Sequence, residues 1–194
     1  QGGVVVDTFE QLINPERAVP WRISQITGIT TAMVFDQPAA RQVLPRFLDF
    51  LGDGVFVAHN LTFDLRFLNA ELARLNRPPL GNPTLCTLRL ARRLLPGLPS
   101  KGLSSLADFY DLHVANRHRA LGDAAATAEV LLRFLSQLEY EHALETLNDL
   151  LHFQHRAYHD IRKGPKHLKR LRDEVLPGLP DRPGVYFMKD RRGA

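Results

Sequence analysis

Residues 55–64 read Val-Phe-Val-Ala-His-Asn-Leu-Thr-Phe-Asp, and this stretch decides the fold class. The apolar run at 55–58 is typical of a short buried strand in a parallel sheet. A polar turn, His59-Asn60, ends the run, and Asp64 then falls in the first turn of a helix. Leucines recur along that helix at helical spacing, at Leu65, Leu68, Leu72 and Leu75. A strand that leads directly into a helix predicts an α/β domain.

The rest of the chain alternates between the same two patterns. Apolar residues predict a strand over residues 4–13, which the Asn14-Pro15 turn closes. Residues 21–34 show no clean period. Helical spacing predicts helices over residues 38–51, 84–95, 103–110 and 123–138. Strands that alternate with helices predict an α/β fold in which helices flank the sheet.

Charge is distributed unevenly along the chain. The net charge is +4, but residues 1–150 carry −2 and residues 151–194 carry +6. A basic tail is compatible with a nucleic-acid partner, and equally with a solvated basic helix. The pattern therefore predicts a main domain at residues 1–138, a basic helical linker at 139–176, and the start of a second domain at 177–194.

Composition excludes several classes of protein. No apolar run approaches the roughly 18 residues that span a bilayer, so we expect no membrane partner. The single cysteine, Cys86, excludes an internal disulfide framework and a cysteine-rich zinc cluster. Its expected role is that of a small buried residue, and we expect a reducing, cytoplasmic location.

Two constellations of residues could carry chemistry. In the first, Asp64 follows the end of a strand, which is where α/β enzymes build their sites. In the second, His118 precedes Asp123 at the start of the alanine-rich helix, so a loop histidine could act beside a metal held by the aspartate. Each constellation also has a structural explanation. Asp64 could favour the positive end of a helix dipole, and Asp123 could cap its helix while His118 lies on a surface loop.

Together the two constellations resemble the motifs of the DnaQ-like 3′–5′ exonucleases of the DEDDh type, the family of the bacterial DNA polymerase III epsilon proofreading subunit. Asn60, Phe63 and Asp64 match the family's N-x-x-F-D motif, and His118, Ala120 and Asp123 match its H-x-A-x-x-D motif. The Ile-Thr-Gly-Ile-Thr sequence at 26–30 resembles the family's loop near the terminal nucleotide. The resemblance covers residues 4–138.

The resemblance implies a ribonuclease-H-like fold with a mixed sheet flanked by helices, followed by a helical linker. It implies that Asp64 and Asp123 are metal ligands in a site for two ions, Mg²⁺ or Mn²⁺, and that His118 is the general base. Thr27, Gly28, Asn60 and Phe63 are then expected to bind substrate. The implied activity is 3′–5′ exonucleolytic hydrolysis of nucleic acid, with DNA more expected than RNA as the substrate, and with polymerase or repair proteins as possible partners.

The sequence departs from the family at the first motif, which is D-x-E on the first strand. Asp7 and Glu10 have the spacing D-x-x-E, and in a strand they would point to opposite faces. Residues 7–14 fit a later strand of the family better. We therefore expect the D-x-E pair to lie upstream of this sequence, and the 194-residue chain to be inactive alone.

A second resemblance lies at residues 179–190, which look like the opening of a GIY-YIG nuclease domain of the UvrC kind. Tyr186 would be its candidate catalytic tyrosine. An ordinary strand after a proline turn is the other explanation. A rival function follows from this resemblance, in which residues 1–138 form a non-catalytic nucleic-acid-binding or docking domain that is accessory to a GIY-YIG endonuclease.

Overall fold

The computed structural model describes residues 3–112 and 120–161. Two predicted site residues, His118 and Tyr186, lie outside this part of the chain, as do residues 162–194 of the predicted linker and second domain. The described elements are α1 (Trp21–Thr27), α2 (Thr31–Phe35), α3 (Ala40–Leu51), β1 (Phe56–Ala58), α4 (Leu61–Arg74), β2 (Thr84–Cys86), α5 (Thr87–Leu94), α6 (Leu103–Phe109), α7 (Ala120–His142), α8 (Leu147–Phe153) and α9 (Tyr158–Ile161).

The sheet in the described residues has two parallel strands, β1 and β2. Val57 lies opposite Leu85, and the backbone N–H of Phe56 donates to the carbonyl of Pro83 at 2.9 Å. Helix α4 connects the two strands, as a parallel pair requires. The buried parallel strand predicted at residues 55–58 is confirmed as β1. The sheet described here is smaller than the mixed sheet expected, and its pairing is parallel.

The predicted strand over residues 4–13 is wrong. Val4, Val5 and Val6 are 68%, 71% and 82% exposed, and no ladder forms over residues 4–13. The nearest pairing is a single parallel bridge between Asn14 and Ala39. A strand needs a neighbour for its backbone hydrogen bonds, and no described segment supplies one here. The local apolar run is therefore insufficient to make a strand.

Most helix predictions are confirmed to within a few residues. Those over 38–51, 103–110 and 123–138 correspond to α3, α6 and α7. The helix predicted over 84–95 is only partly correct, because residues 84–86 form β2 and the helix begins at Thr87. Residues 21–34, which have no clear pattern, fold into α1 and α2.

The core lies where helices α5, α6 and α7 meet, and α7 also contacts β1. Each helix presents one apolar face, and burial of each leucine or phenylalanine side chain contributes about 1.5–3 kcal/mol. The buried apolar residues lie on one face of each helix: Leu90, Ala91 and Leu94 of α5, Leu106 and Ala107 of α6, and Ala126, Val130, Phe134 and Leu138 of α7.

The first compact unit of the chain extends to Arg156, beyond the domain boundary predicted at residue 138. The reason is Gln154, whose side chain is only 2% exposed. Its Oε1 accepts from the backbone N–H of Cys86 at 3.0 Å, and its Nε2 donates to the carbonyl of Thr84 at 2.8 Å. The amide thus bonds to β2 as a neighbouring strand would. A second compact unit begins at Ala157.

Candidate active site

The turn after β1 redirects the chain sharply into α4. Asn60 adopts a left-handed conformation, with φ 67° and ψ 44°, which asparagine tolerates better than most residues. Its carbonyl accepts from the N–H of Phe63 at 2.9 Å, which closes the first helical turn. Asp64 lies in that first turn, as predicted. The sharp turn therefore places Asn60 and Asp64 together at the carboxyl end of β1.

His59 is held in this turn by a buried hydroxyl. The imidazole Nδ1 lies 3.0 Å from Oγ1 of Thr87, the fully buried first residue of α5. The Thr87 hydroxyl also lies 3.5 Å from the carbonyl of Ala58, to which it donates. Oγ1 of Thr87 therefore links the imidazole of His59 to the backbone of β1. The pairing of β1 with β2 thus fixes the orientation of the His59 ring.

Burial lowers the pKa of His59 below its ordinary value of 6.5. Desolvation disfavours the charged imidazolium, and a hydrogen bond with the backbone of Lys101 opposes the shift only in part. His59 is consequently a neutral hydrogen-bonding group at neutral pH.

A pocket of about 590 Å³ opens beside this turn. Arg92 and Lys101 supply its charge, and no carboxylate is among its described lining residues. The Lys101 ammonium group donates to the carbonyls of Pro96 and Leu98, which anchors it within its own loop. The lining residues are His59, Asn60, Leu88, Arg92, Lys101 and Gly102. A concave basic surface of this kind suits an anionic ligand.

Sequence reasoning missed three members of this pocket: His59, Arg92 and Lys101. They come from the turn after β1, from α5 and from the loop before α6. The available signals were weak: His59 directly follows a strand, and Arg92 lies on the polar face of α5. Their convergence depends on tertiary packing, which no local pattern encodes.

Asp64 and Asp123 occupy equivalent places in their helices, each in the first turn. Partial desolvation raises the pKa of Asp64, and a hydrogen bond from its own backbone N–H opposes the shift. Carboxylate oxygens are the donors that Mg²⁺ and Mn²⁺ prefer. Within residues 3–112 and 120–161, however, no group of three or more His, Cys, Asp or Glu side chains could hold a metal ion. The donor chemistry fits such ions, and the described donor set is incomplete.

Phe63 and Phe67 form an exposed aromatic pair beside Asp64. Their side chains are 60% and 59% exposed, and their ring centroids lie 4.8 Å apart. The four-residue spacing puts both rings on one face of α4. Exposed aromatic rings next to a carboxylate and a basic pocket can stack with nucleic-acid bases.

Thr27 and Gly28, predicted to bind substrate, have a local structural role at the end of α1. The Thr27 hydroxyl donates to the carbonyl of Ile23 at 2.8 Å and accepts from the N–H of Ile29 at 3.2 Å. Gly28 ends the helix with φ +71°, a conformation that favours glycine. Neither residue is among the described lining of the pocket.

Comparison with protein families and relatives gives a consistent result. The family model RNase_T, described as exonuclease, matches residues 1–131. The chain is 38% identical over 144 residues to the DNA polymerase III subunit epsilon of Aquifex aeolicus, covering 74% of this chain and 71% of that protein. It is 39% identical over 194 residues to a bifunctional exonuclease/endonuclease protein of Mycobacterium tuberculosis, covering 99% of this chain and 29% of that protein.

A solved structure has a similar fold. Exonuclease X in complex with 5′ overhanging duplex DNA aligns with a TM-score of 0.63 and 29% sequence identity, covering 78% of this chain and 84% of that one. The ribonuclease-H-like fold class predicted from the sequence is thereby confirmed. None of the described helices is long and apolar enough to cross a membrane.

Proposed function

This chain belongs to the RNase_T exonuclease family, and we propose that it is the nuclease domain of a protein that removes nucleotides from the 3′ end of a nucleic acid. The observation that carries the proposal is the turn after β1, which combines the N-x-x-F-D residues with a basic pocket. DNA is the favoured substrate, because the polymerase III subunit and exonuclease X both act in the context of DNA by name. Polymerase or repair proteins are the proposed partners.

Exonucleases of this family generally use divalent metal ions, and Asp64 and Asp123 are the residues proposed to hold them here. Their carboxylates favour Mg²⁺ or Mn²⁺ over softer metals. When bound, such ions lower the pKa of water and offset the negative charge of a phosphate.

The remaining roles are assigned to side chains of this chain. His118 takes a proton from the attacking water, since its ordinary pKa lies near neutrality. Phe63 stacks with the terminal base, while Thr27, Gly28 and Asn60 position the terminal nucleotide. The pocket side chains Arg92 and Lys101, with neutral His59 beside them, bind backbone phosphate next to the scissile bond.

Three further proposals concern the intact protein. Asp7 and Glu10 do not lie in a strand, which supports a D-x-E pair supplied by another part of the intact protein and an inactive 194-residue chain. The Mycobacterium tuberculosis relative that spans nearly all of this chain is named for both exonuclease and endonuclease activities. That name supports a GIY-YIG domain in which Tyr186 is catalytic. A cytoplasmic location is proposed on the strength of the single, buried, free Cys86.

The test is His118→Ala in the intact protein, assayed with Mn²⁺ on a 3′-labelled oligonucleotide. Loss of a general base lowers kcat by about 10²–10⁴-fold, with little change in the Kd for DNA, and the pH–rate profile loses its limb near the histidine pKa. His113→Ala, which removes a histidine five positions earlier in the sequence and outside the motif, is the matched control. A loss confined to DNA affinity would make His118 a binding residue. No 3′ digestion by the intact protein would favour the non-catalytic docking function.

A further inference from the structure

Helix α5 carries more positive charge than its packing needs. Its buried residues Thr87, Leu90, Ala91 and Leu94 form one face. The opposite side carries Arg89, Arg92 and Arg93. Arg92 belongs to the pocket described above, whereas Arg89 and Arg93 are four residues apart and point elsewhere, toward the end of α8. An exposed arginine face is common on amphipathic helices. The neighbours of Arg89 and Arg93 therefore decide whether this face has a role beyond contact with solvent.

Those neighbours are also basic. The Arg89 guanidinium lies 3.4 Å from Nδ1 of His155, and Nε of Arg93 donates to the carbonyl of Arg156 at 2.8 Å. His152 lies in the last turn of α8, and His155 and Arg156 follow the end of that helix. The residues come together across more than 60 positions of sequence. We call Arg89, Arg93, His152, His155 and Arg156 the α5–α8 cluster.

No carboxylate among the described residues forms an ion pair with this cluster, since the described pairs are Arg41–Glu16 and Arg74–Glu71. Asp149 of α8 accepts from the Thr146 hydroxyl at the other end of that helix. Burial and the neighbouring positive charges lower the pKa of two members of the cluster, Arg93 and His155. Burial first, and then Arg89 and Arg92, lower the pKa of Arg93. Burial first, and then Arg89, Arg93 and His152, lower the pKa of His155.

Packing explains only part of this charge. Arg93 satisfies the carbonyl of Arg156, three residues beyond the last residue of α8. Within the described residues, the Arg89 guanidinium has one side-chain partner, Nδ1 of His155 at 3.4 Å. The Arg156 side chain is exposed, and within the described residues only its backbone forms hydrogen bonds: its N–H donates to the carbonyl of Phe153, and its carbonyl accepts from Arg93. Arg89 and Arg156 therefore present positive charge that no described carboxylate offsets in an ion pair, which is expected where an anion binds.

We infer that the α5–α8 cluster is a second nucleic-acid contact, which binds the sugar–phosphate backbone of a duplex away from the candidate active site. Arginine suits phosphate because its planar donors match two oxygens at once. The inference rests on the proposed function and deepens it, since a contact distant from the 3′ end holds the substrate while its end is degraded. The same face of α5 and α8 would contact phosphates whatever the base sequence.

The experiment measures binding without cleavage. The full 194-residue chain is titrated with a fluorescent 20-base-pair duplex in EDTA at several salt concentrations. Arg89→Gln/Arg156→Gln removes two charges and no hydrogen bond to the backbone. The matched control, Arg74→Gln/Arg77→Gln, removes two charges at the far end of α4. Residues 162–194, with their own basic side chains, are present in every variant and contribute equally. Arg156→Glu alone is a second test, because the exposed Arg156 side chain forms no hydrogen bond or ion pair within the described residues and its replacement should leave folding intact.

The expected result is a salt slope that falls by about 1.8 in the Arg89/Arg156 variant, since each phosphate contact on duplex DNA contributes about 0.9. The control should change the slope by much less, and Arg156→Glu should weaken binding at low salt. Equal slopes in the two double variants would overturn the inference. Polyglutamate serves as a second ligand in the same titration. If the Arg89/Arg156 variant lost binding to polyglutamate and kept its binding to DNA, the inference would also be overturned, and the partner of the cluster would be an acidic protein. Because no step requires cleavage, failure of the exonuclease assignment appears separately, in the 3′-digestion assay.

Discussion

Two regions of the chain begin with nearly the same local sequence and have different structures. Residues 4–7 read Val-Val-Val-Asp, and residues 55–58 read Val-Phe-Val-Ala and are followed by Asp64. The second run becomes β1, paired along its length with β2 and followed by a turn whose hydrogen bonds fix His59 and Asn60. The first run stays exposed and unpaired within the described structure, and Oδ1 of Asp7 accepts only from the adjacent Thr8 N–H.

The difference shows what a run of β-branched residues can and cannot specify. Such a run favours extended backbone, but a strand forms only where another segment satisfies its N–H and C=O groups. For β1 that segment is β2, brought alongside by α4. A carboxylate gains a defined position only from such a framework. Asp64 should therefore be functional, while Asp7 should not.

The largest expected effect is on activity and tests this contrast directly. In the intact protein, Asp64→Ala should lower the rate of 3′ digestion by at least about a hundredfold, the scale for losing one electrostatic contact at a reacting phosphate. Asp7→Ala should leave the rate unchanged. Rates on a 3′-labelled oligonucleotide with Mn²⁺ measure both. The 194-residue chain alone is the second substrate assay. If it digested the oligonucleotide processively from the 3′ end, and if Asp7→Ala abolished that digestion, Asp7 would belong to the first motif.

A smaller effect is expected on stability. Leu85, opposite Val57 in the sheet, is buried, so Leu85→Ala should lower the free energy of unfolding by about 2–5 kcal/mol. Val5→Ala, at an exposed position of the other region, should change it by less than about 0.5 kcal/mol. Urea denaturation of both variants provides the comparison. A large loss for Val5→Ala would mean that the N-terminal residues pack in solution.

The sequence predicted the elements whose pattern and environment agree. The strand at 55–58 and the helices α3, α6 and α7 were recognisable because each has an apolar face that the core buries. Residues 84–86 were assigned to a helix, because Thr-Leu-Cys followed by a helical stripe is compatible with either structure until β1 lies beside it. The strand prediction for residues 4–13 was wrong for the converse reason, because these residues have the pattern of a strand but no described segment pairs with them.

Gln154 offers a third test, of intermediate size. Gln154→Ala leaves the buried N–H of Cys86 and the carbonyl of Thr84 without their partner, which should cost about 1–3 kcal/mol of stability. Gln11→Ala is the control in the N-terminal region, because Gln11 also bridges two groups but is only half-buried, and it should cost less than about 1 kcal/mol. Similar losses in both variants would contradict the difference in burial.

The candidate site was predictable only in its local parts. The positions of Asn60 and Asp64 follow from a strand, a turn and a helix that are adjacent in sequence. Thr87 and Lys101 reach His59 across 28 and 42 positions, through strand pairing and the loop before α6, so the sequence gives no indication of either contact. Gln154 and the α5–α8 cluster were missed for the same reason. The sequence pattern of residues 139–156 is typical of a linker, whereas in the structure these residues pack as part of the first compact unit.

The smallest expected effect concerns the titration of His59, which reports how well the turn after β1 is buried. Its pKa should lie below 6.5, because desolvation disfavours the imidazolium more than the hydrogen bond with the Lys101 backbone favours it. Between the folded pKa and 6.5 the unfolded chain binds more protons than the folded one, so stability should rise with pH across that window and level off above it. NMR titration gives the pKa, and urea denaturation at a series of pH values gives the slope.

His142 and His155 have lowered pKa values and add slopes of the same sign, so the contribution of His59 is the difference between the slope of the parent and that of His59→Gln. A slope unchanged by His59→Gln would mean that water reaches the ring, and that the turn after β1 is no better shielded than residues 4–7.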